Sequence, residues 1–155
     1  MKTIIPVLIL ALVLPVGAPA QTAPPAAYQP GLGDLMTMAV QPRHTKLGIA
    51  GSTRNWAYAA YELGELREAL DQVAEVTPVW DTFPVATNLH TLTAAPLEAL
   101  DAAIKAADAR RFIQAYRQLT RACNTCHLSA AKRMIVIQVP AAAAYPDQDF
   151  RPIRK

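Results

Sequence analysis

The chain has few cysteines, few charges and no long apolar run beyond its first twenty residues. Two of its 155 residues are cysteine, 17% are charged, and the formal net charge is +3. The basic residues form no run of the size that nucleic-acid binding needs, so we expect no nucleic-acid partner. The patterns G-x-S-x-G and H-E-x-x-H and a glycine-rich phosphate loop are all missing, which argues against hydrolytic chemistry.

The first 20 residues are typical of a secretory signal peptide. Lys2 supplies a positive charge, residues 4–16 form an apolar run, and Ala18-Pro19-Ala20 matches an A-x-A cleavage site. The run of 13 residues is short of the roughly 18 to 20 that span a bilayer, so we favour cleavage over an N-terminal anchor. We therefore expect a periplasmic protein with no membrane span after cleavage, in which residues 21–32 are a flexible lead-in.

The most restrictive pattern is Cys123-Asn124-Thr125-Cys126-His127, which has the form C-x-x-C-H. Two thiols three residues apart can bond the two vinyl groups of one porphyrin, and the adjacent imidazole then lies beneath the iron as an axial ligand. The sequence thus predicts one covalent haem c, held by Cys123 and Cys126, with His127 as the proximal iron ligand. An exported location agrees with this, because haem attachment takes place outside the cytoplasm.

Three other interpretations of the two cysteines are open from the residues alone. A thioredoxin-like dithiol would begin a helix in a βαβ setting, whereas these cysteines lie late in a predicted helix. A zinc site needs four ligands, and His44 and His90 could complete such a set, although their spacing matches no zinc module. A disulfide between residues three apart in a helix is geometrically awkward.

Hydrophobic periodicity predicts an all-α domain over residues 33–134, arranged as an antiparallel four-helix bundle. The first helix is expected to begin with Asp34 as its N-cap, and Pro42 should kink or interrupt it. The second helix is expected to begin near Asn55 and to end before Pro78, after which a long connection follows.

That connection is predicted to cover residues 77–92. Thr93 is the expected N-cap of the third helix, with Pro96 in its first turn, and Asp108 is the expected N-cap of the fourth, which continues to about Arg133. The fourth helix has a stripe of inward-facing residues spaced by threes and fours, namely Phe112, Tyr116, Leu119, Cys123 and Cys126. The haem would therefore project into the bundle.

Residues 135–155 are predicted to be an irregular C-terminal tail that begins with a β-branched segment. We expect a surface tail, and folding back over the haem edge is the alternative.

Two groups of charged residues need an interpretation. Three glutamates of the second helix lack the Glu-x-x-His partner of a carboxylate metal site and should form a solvated face: Glu62, Glu65 and Glu68. Three cations are candidates to pair with haem propionates, although solvated surface charge is the commoner use of each: Arg43, Lys46 and Arg121.

These features resemble the class II c-type cytochromes, the cytochrome c-prime-like four-helix bundles. In that family C-x-x-C-H lies near the end of the last helix of an exported, Ala-rich, all-α chain, and residues 121–127 occupy that place here. The Trp80-Asp81-Thr82-Phe83-Pro84 segment resembles the aromatic–Pro loop between the family's second and third helices. The resemblance covers residues 33–133, and the chain departs from it by continuing for 28 residues beyond His127.

The sixth iron ligand would decide the function. In an antiparallel bundle the start of the first helix lies beside the end of the fourth, which makes His44 our first candidate for the distal ligand and Met38 or Met36 the alternatives. A methionine ligand raises the reduction potential, and a second histidine would give a lower one. Without a sixth ligand the iron is five-coordinate and can bind a small gas, as the resemblance implies.

We therefore expect a monohaem c-type cytochrome that works as an electron carrier with redox partner proteins, and not as an enzyme. The alternative is a five-coordinate haem protein that binds or senses nitric oxide or another small gaseous ligand. A third hypothesis is a redox subunit of a larger oxidoreductase. The resemblance allows a homodimer through the first two helices, but no apolar stripe requires one.

Overall fold

The computed structural model describes residues 28–140, 145 and 147–153. This part of the chain is all-α, with four helices and no β-strand, as the periodicity predicts. None of its helices is both long enough and apolar enough to cross a membrane. The predicted signal peptide lies outside the described residues. The first helix, α1, consists of three consecutive pieces: an α-helical start at Leu32–Leu35, a π-helical turn at Met36–Val40 and an α-helix at Gln41–Ser52. The other three helices are α2 (Trp56–Val76), α3 (Val85–Lys105) and α4 (Ala109–Ser129).

The four helices contact one another in a ring. α1 packs against α2, α2 against α3 and α3 against α4, and a smaller contact between α4 and α1 closes the ring. A single apolar core fills the middle, because each helix turns one stripe of apolar side chains inward. One fully buried leucine from each helix illustrates this: Leu47, Leu66, Leu100 and Leu119.

Two glycines allow α1 and α4 to approach closely. A Cβ atom at Gly51 would lie 2.0 Å from the ring of Phe112, and one at Gly48 would lie 2.6 Å from the ring and hydroxyl of Tyr116. No side chain fits at either position without movement of the opposite helix. This contact brings the Tyr116 hydroxyl onto α1.

The helix starts match the predictions in two cases and differ in two. The side chain of Asp108 accepts hydrogen bonds from the backbone of Arg110 and Arg111 at 2.9 and 3.0 Å, as an N-cap does. Asn55 caps α2 in the same way. The prediction for Asp34 was wrong, since Gly31 is the N-cap of α1 and Asp34 lies three residues later, where its carboxylate accepts from the Gly31 N–H at 3.1 Å.

The prediction for the start of the third helix was also wrong. α3 begins at Val85, so Thr93 lies inside the helix, where its hydroxyl donates to the carbonyl of Leu89 at 2.7 Å. Pro96 is likewise an interior residue and not part of the first turn. The apolar stripe starts at Val85 and continues through Leu89, and burial of that stripe outweighs the cost of one proline in the helix.

Three helices end in the same kind of turn, which the sequence did not reveal. After α1, α3 and α4 the chain adopts a left-handed conformation at Arg54, Ala107 and Ala131, with φ between 51° and 59°. In each case two backbone hydrogen bonds complete a Schellman motif, for example Ala131 N to Leu128 O at 3.1 Å and Lys132 N to His127 O at 2.7 Å. Because the signal for this turn is glycine or asparagine, α4 was predicted to continue to Arg133, four residues beyond its actual end.

The C-terminal tail is irregular, as predicted, but it is not a free surface tail. Phe150 is only 4% exposed. Its carbonyl accepts hydrogen bonds from the Thr53 hydroxyl at 2.9 Å and the Asn55 amide at 3.2 Å, so the turn between α1 and α2 holds this part of the tail in place. Burial of an aromatic ring explains why the tail is fixed, since the ring removes a large apolar area from water.

The docked tail changes the environment of α2. Glu62, which was predicted to be solvated, is 1% exposed. It lies under the tail beside Tyr58, whose hydroxyl donates to Glu62 Oε1 and whose ring lies 5.7 Å from that of Phe150. Burial, together with the hydrogen bond to Glu62, raises the pKa of Tyr58 to about 12. Periodicity within α2 could not reveal this burial, because the covering residues come from the far end of the chain.

Candidate cofactor site

A cavity of about 390 Å³ opens between the four helices and the segment that follows α4. Its size lies within the roughly 300–1,000 Å³ of small-molecule and cofactor sites. Most of its wall is apolar, with contributions from Met36 of α1, Leu70 of α2 and Leu89 of α3. The fourth wall holds the three chemically distinctive side chains of the C-x-x-C-H motif: Cys123, Cys126 and His127.

The two cysteines lie one helical turn apart on α4, and both are half-buried free thiols. Burial raises the pKa of Cys123 to about 11, with a further contribution from nearby Cys126, and burial also raises the pKa of Cys126. Redox-active cysteines of the thioredoxin type have a lowered pKa, so the structure does not favour that interpretation.

His127 has its two ring nitrogens in different environments. Nδ1 lies 3.1 Å from the carbonyl oxygen of Ile135. Because a carbonyl only accepts, Nδ1 is the nitrogen that holds the proton, and Nε2 keeps its lone pair. A backbone carbonyl on the second ring nitrogen is the usual arrangement for a histidine that ligates a metal.

The α1 wall of the cavity is a row of residues spaced by four: Leu32, Met36, Val40 and His44. Such a row drifts around an ordinary α-helix, which has 3.6 residues per turn. The π-helical turn at Met36–Val40 is wider and compensates for the drift, so the row stays on one face. This turn also precedes Pro42, and the helix continues through the proline without a break.

The structure separates the two methionines that were candidates for the distal ligand. Met36 is half-buried and lines the cavity. Met38 is 63% exposed and is not part of the cavity wall. Residues two apart on a helix face different ways, so one of the two had to be excluded from the wall.

His44 also lines the cavity and is 4% exposed, but both of its ring nitrogens have partners on α4. Nε2 lies 3.2 Å from the Thr120 hydroxyl, and Nδ1 lies 3.0 Å from the Tyr116 hydroxyl. Both hydroxyls also donate to backbone carbonyls, that of Thr120 to Tyr116 O at 3.0 Å and that of Tyr116 to His44 O at 2.6 Å, so the donor and acceptor roles of the two ring nitrogens depend on the tautomer. Burial lowers the pKa of His44 to about 4, which keeps the imidazole neutral.

Two sets of residues that were weighed for the site lie outside the cavity wall. His90 is exposed on α3 and does not line the cavity, and the described part of the chain contains no group of three or more His, Cys, Asp or Glu side chains that could hold a metal ion. Among the described residues of the cavity wall the charged side chain is Lys132, and none of the three cations weighed as propionate partners lines it. Arg43, for example, pairs with Glu65 at 3.0 Å.

Sequence reasoning preferred a surface tail for the residues that follow α4 and kept folding back over the haem edge as the alternative. Ile135 and Ile137 line the cavity, and Lys132 lies 4.4 Å above the ring of Trp80 at the same place. The β-branched run 135–137 was a signal for an extended segment, but not for its position. Comparison of the chain with protein-family models, with curated proteins and with solved structures finds no match.

Proposed function

We propose that this protein is an exported monohaem c-type cytochrome that carries single electrons between redox partner proteins. The observation that supports it best is that Cys123, Cys126 and His127 open together onto an apolar cavity, and that His127 Nε2 has no hydrogen-bond partner among the described residues. Haem, when bound there, would supply a one-electron iron couple. The residues fit this group, because two thiols, one unprotonated imidazole nitrogen and an apolar wall are what a covalent haem requires.

Each part of the site has a defined task in this proposal. Cys123 and Cys126 would hold the haem through two thioether bonds, and His127 Nε2 would ligate its iron. The apolar walls exclude water from the iron, which raises the strength of every electrostatic interaction there. Lys132 is positioned to compensate a propionate charge at the rim of the cavity. The helices are proposed to run antiparallel, as the three-residue connections after α1 and α3 favour.

The two states of the distal side correspond to the two candidate functions. If His44 Nε2 leaves Thr120 and ligates the iron, the haem is low-spin and suited to electron transfer, with Met36 as the alternative ligand. If His44 keeps both of its hydrogen bonds to α4, the iron is five-coordinate and binds a small gaseous ligand. The second function has specific support, since both nitrogens of His44 are engaged in the structure.

Mass spectrometry of the purified exported protein tests the proposal. We expect the mass of one added haem and an N-terminus at Gln21, and both should persist in Thr125→Ala, a control within the motif. The double variant Cys123→Ala/Cys126→Ala should have no added mass. A wild-type protein without covalent haem, when produced in cells that attach haem to other c-type cytochromes, would overturn the proposal.

Absorption spectra then separate the two functions. A ferrous protein that is low-spin and takes up carbon monoxide slowly would support the electron carrier. A high-spin ferrous protein that binds carbon monoxide at once would support the gas-binding alternative and exclude the simple carrier.

A further inference from the structure

The segment after α4 turns back towards the C-x-x-C-H motif immediately. The Schellman turn at Ala131 reverses the chain, since Lys132 N donates to the carbonyl of His127 itself at 2.7 Å. A second turn follows, in which Ile135 N donates to the carbonyl of Lys132 at 2.9 Å. As a result, the carbonyl of Ile135 arrives at His127 Nδ1.

One side chain of the motif fixes the far end of this segment. The amide of Asn124 donates from Nδ2 to the carbonyl of Ile137 at 2.9 Å and accepts from the Ile137 N–H at 2.7 Å. Both backbone groups of Ile137 are therefore satisfied by a single side chain, in the way that a neighbouring strand would satisfy them. Asn124 lies between the two cysteines, so this contact forms within the attachment motif.

We propose that Asn124 is a positioning residue for the proximal iron ligand. It fixes Ile137, and the Schellman turn fixes Lys132, so Ile135 lies between two anchored points. Its carbonyl then fixes both the tautomer and the orientation of the His127 ring. A hydrogen bond to Nδ1 makes the imidazole a stronger electron donor, which favours ferric iron and lowers the reduction potential. This proposal rests on the proposed haem function.

The choice of residue supports this role. Asparagine is unfavourable inside a helix because its side chain competes for backbone hydrogen bonds. Asn124 nevertheless lies five residues before the last residue of α4, and its side chain bonds to Ile137. Thr125, the other residue between the cysteines, bonds only within α4, where its hydroxyl donates to the carbonyl of Arg121 at 3.0 Å. The two residues thus differ in whether they contact the returning segment.

The experiment compares Asn124→Ala with Thr125→Ala in the full-length holoprotein. Redox titration of Asn124→Ala should give a higher reduction potential, because the Ile135 carbonyl is no longer held on His127. A threefold to tenfold change in the equilibrium constant corresponds to about 30 to 60 mV for one electron. Proton NMR should show faster solvent exchange of the His127 Nδ1–H in Asn124→Ala, and Thr125→Ala should match the wild type in both measurements.

Two further measurements keep the test decisive if Asn124→Ala folds poorly. Asn124→Asp keeps the acceptor for the Ile137 N–H and loses the donor, so its change in exchange rate should have the same sign and be smaller. Limited proteolysis of residues 132–140 in the haem-free protein should be faster in Asn124→Ala than in Thr125→Ala. If covalent haem is present and the potential, the Nδ1–H exchange and the proteolysis rate of Asn124→Ala all equal those of Thr125→Ala, this inference is wrong while the haem function stands. If no haem attaches to the wild type, the function fails, and proteolysis alone decides whether Asn124 holds the segment.

Discussion

The two sides of the cavity differ in how completely the chain has arranged them. On the α4 side, His127 has one nitrogen held by the Ile135 carbonyl and the other free to bind iron. On the α1 side, His44 has both nitrogens bonded to α4, and Met36 lies beside it in the wall. In the proposed haem protein, the α4 side would therefore need no rearrangement to ligate iron, whereas His44 on the α1 side would first have to break a hydrogen bond. The difference suggests that function is tuned on the distal side.

The largest effect is expected on haem attachment when His127, the proposed proximal ligand, is replaced. His127→Ala removes Nε2, the proposed iron ligand, so the yield of holoprotein should fall at least about tenfold. Even an outer-shell partner of a metal ligand is worth about 10- to 100-fold in affinity. Visible absorption of the purified protein measures this. His44→Ala is the matched variant on the distal side and should retain attached haem. Equal losses in the two variants would contradict the asymmetry between the sides.

The next largest effect is the pH dependence of stability that burial of His44 causes, measured in the haem-free variant Cys123→Ala/Cys126→Ala. The folded pKa of His44 is about 4, below its ordinary value of 6.5, because burial disfavours the charged ring. The unfolded chain therefore binds the extra proton first, and the free energy of unfolding falls as the pH drops from 6.5 to about 4. The slope should reach at most about 1.4 kcal/mol per pH unit.

Urea denaturation at several pH values measures this slope. Adding His44→Gln to the variant should flatten the profile over the same interval. A profile that keeps its slope after this substitution would assign the pH dependence to another group.

The close contact of α1 with α4 holds the distal wall in position, and Gly51 tests it. Gly51→Ala places a methyl group 2.0 Å from the Phe112 ring, and overpacking of this kind costs about 1–3 kcal/mol. Gly64→Ala is the control, because nothing lies within 4 Å of its Cβ position, and it should stabilise α2 by about 0.5–1 kcal/mol. Chemical denaturation compares the two. Equal effects of the two alanines would show that the helices can separate freely.

A smaller effect, on the spin state of the haem, is expected when the hydrogen bond between His44 and Thr120 is removed. Thr120→Val removes the hydroxyl that lies 3.2 Å from His44 Nε2 while keeping the size of the side chain. A single hydrogen bond is worth about 0.5–1.5 kcal/mol, so the ratio of low-spin to high-spin ferrous haem should rise roughly threefold to tenfold. Absorption spectra report this ratio, with Thr125→Ala as the control on the same helix. If the ratio of low-spin to high-spin haem does not rise in Thr120→Val, His44 is not the sixth ligand, and Met36 is the next candidate.

The smallest effect concerns the turn at Ala131, which leads into the segment that carries Ile135 and Ile137. Ala131 has a φ of 56°, which is costly for a residue with a Cβ atom, so Ala131→Gly should stabilise the protein by about 0.5–1 kcal/mol. Ala102→Gly, at an exposed position inside α3, should destabilise it by about 1 kcal/mol. Thermal unfolding distinguishes the two. Destabilisation by both glycines would show that the left-handed conformation of Ala131 is not retained in solution.

Local signals predicted the helical class and the motif, and they failed wherever distant segments interact. The caps at Asn55 and Asp108 are local, since a side chain bonds to the backbone two or three residues away; Asp108 was predicted as a cap, and Asn55 as the start of α2. The N-cap of α3 was placed nine residues late, at Thr93 and not at Pro84, because Thr93 and Pro96 imitate a helix start although burial of the preceding turns decides the matter. Glu62 was assigned to solvent because its cover comes from Phe150, 88 residues further along the chain.

The sequence by itself determined the all-α class, the position of C-x-x-C-H on the inner face of the last helix, and the chemistry that three such side chains permit. Periodicity and spacing within one helix encode these features. The tertiary structure alone decided that Met36 and not Met38 faces the cavity, that Tyr116 and Thr120 hold His44, and that the tail supplies the carbonyl beside His127. The physical reason is that each of these depends on which segments meet in space, through a π-helical turn, a close approach of helices at two glycines, or a left-handed turn at an alanine.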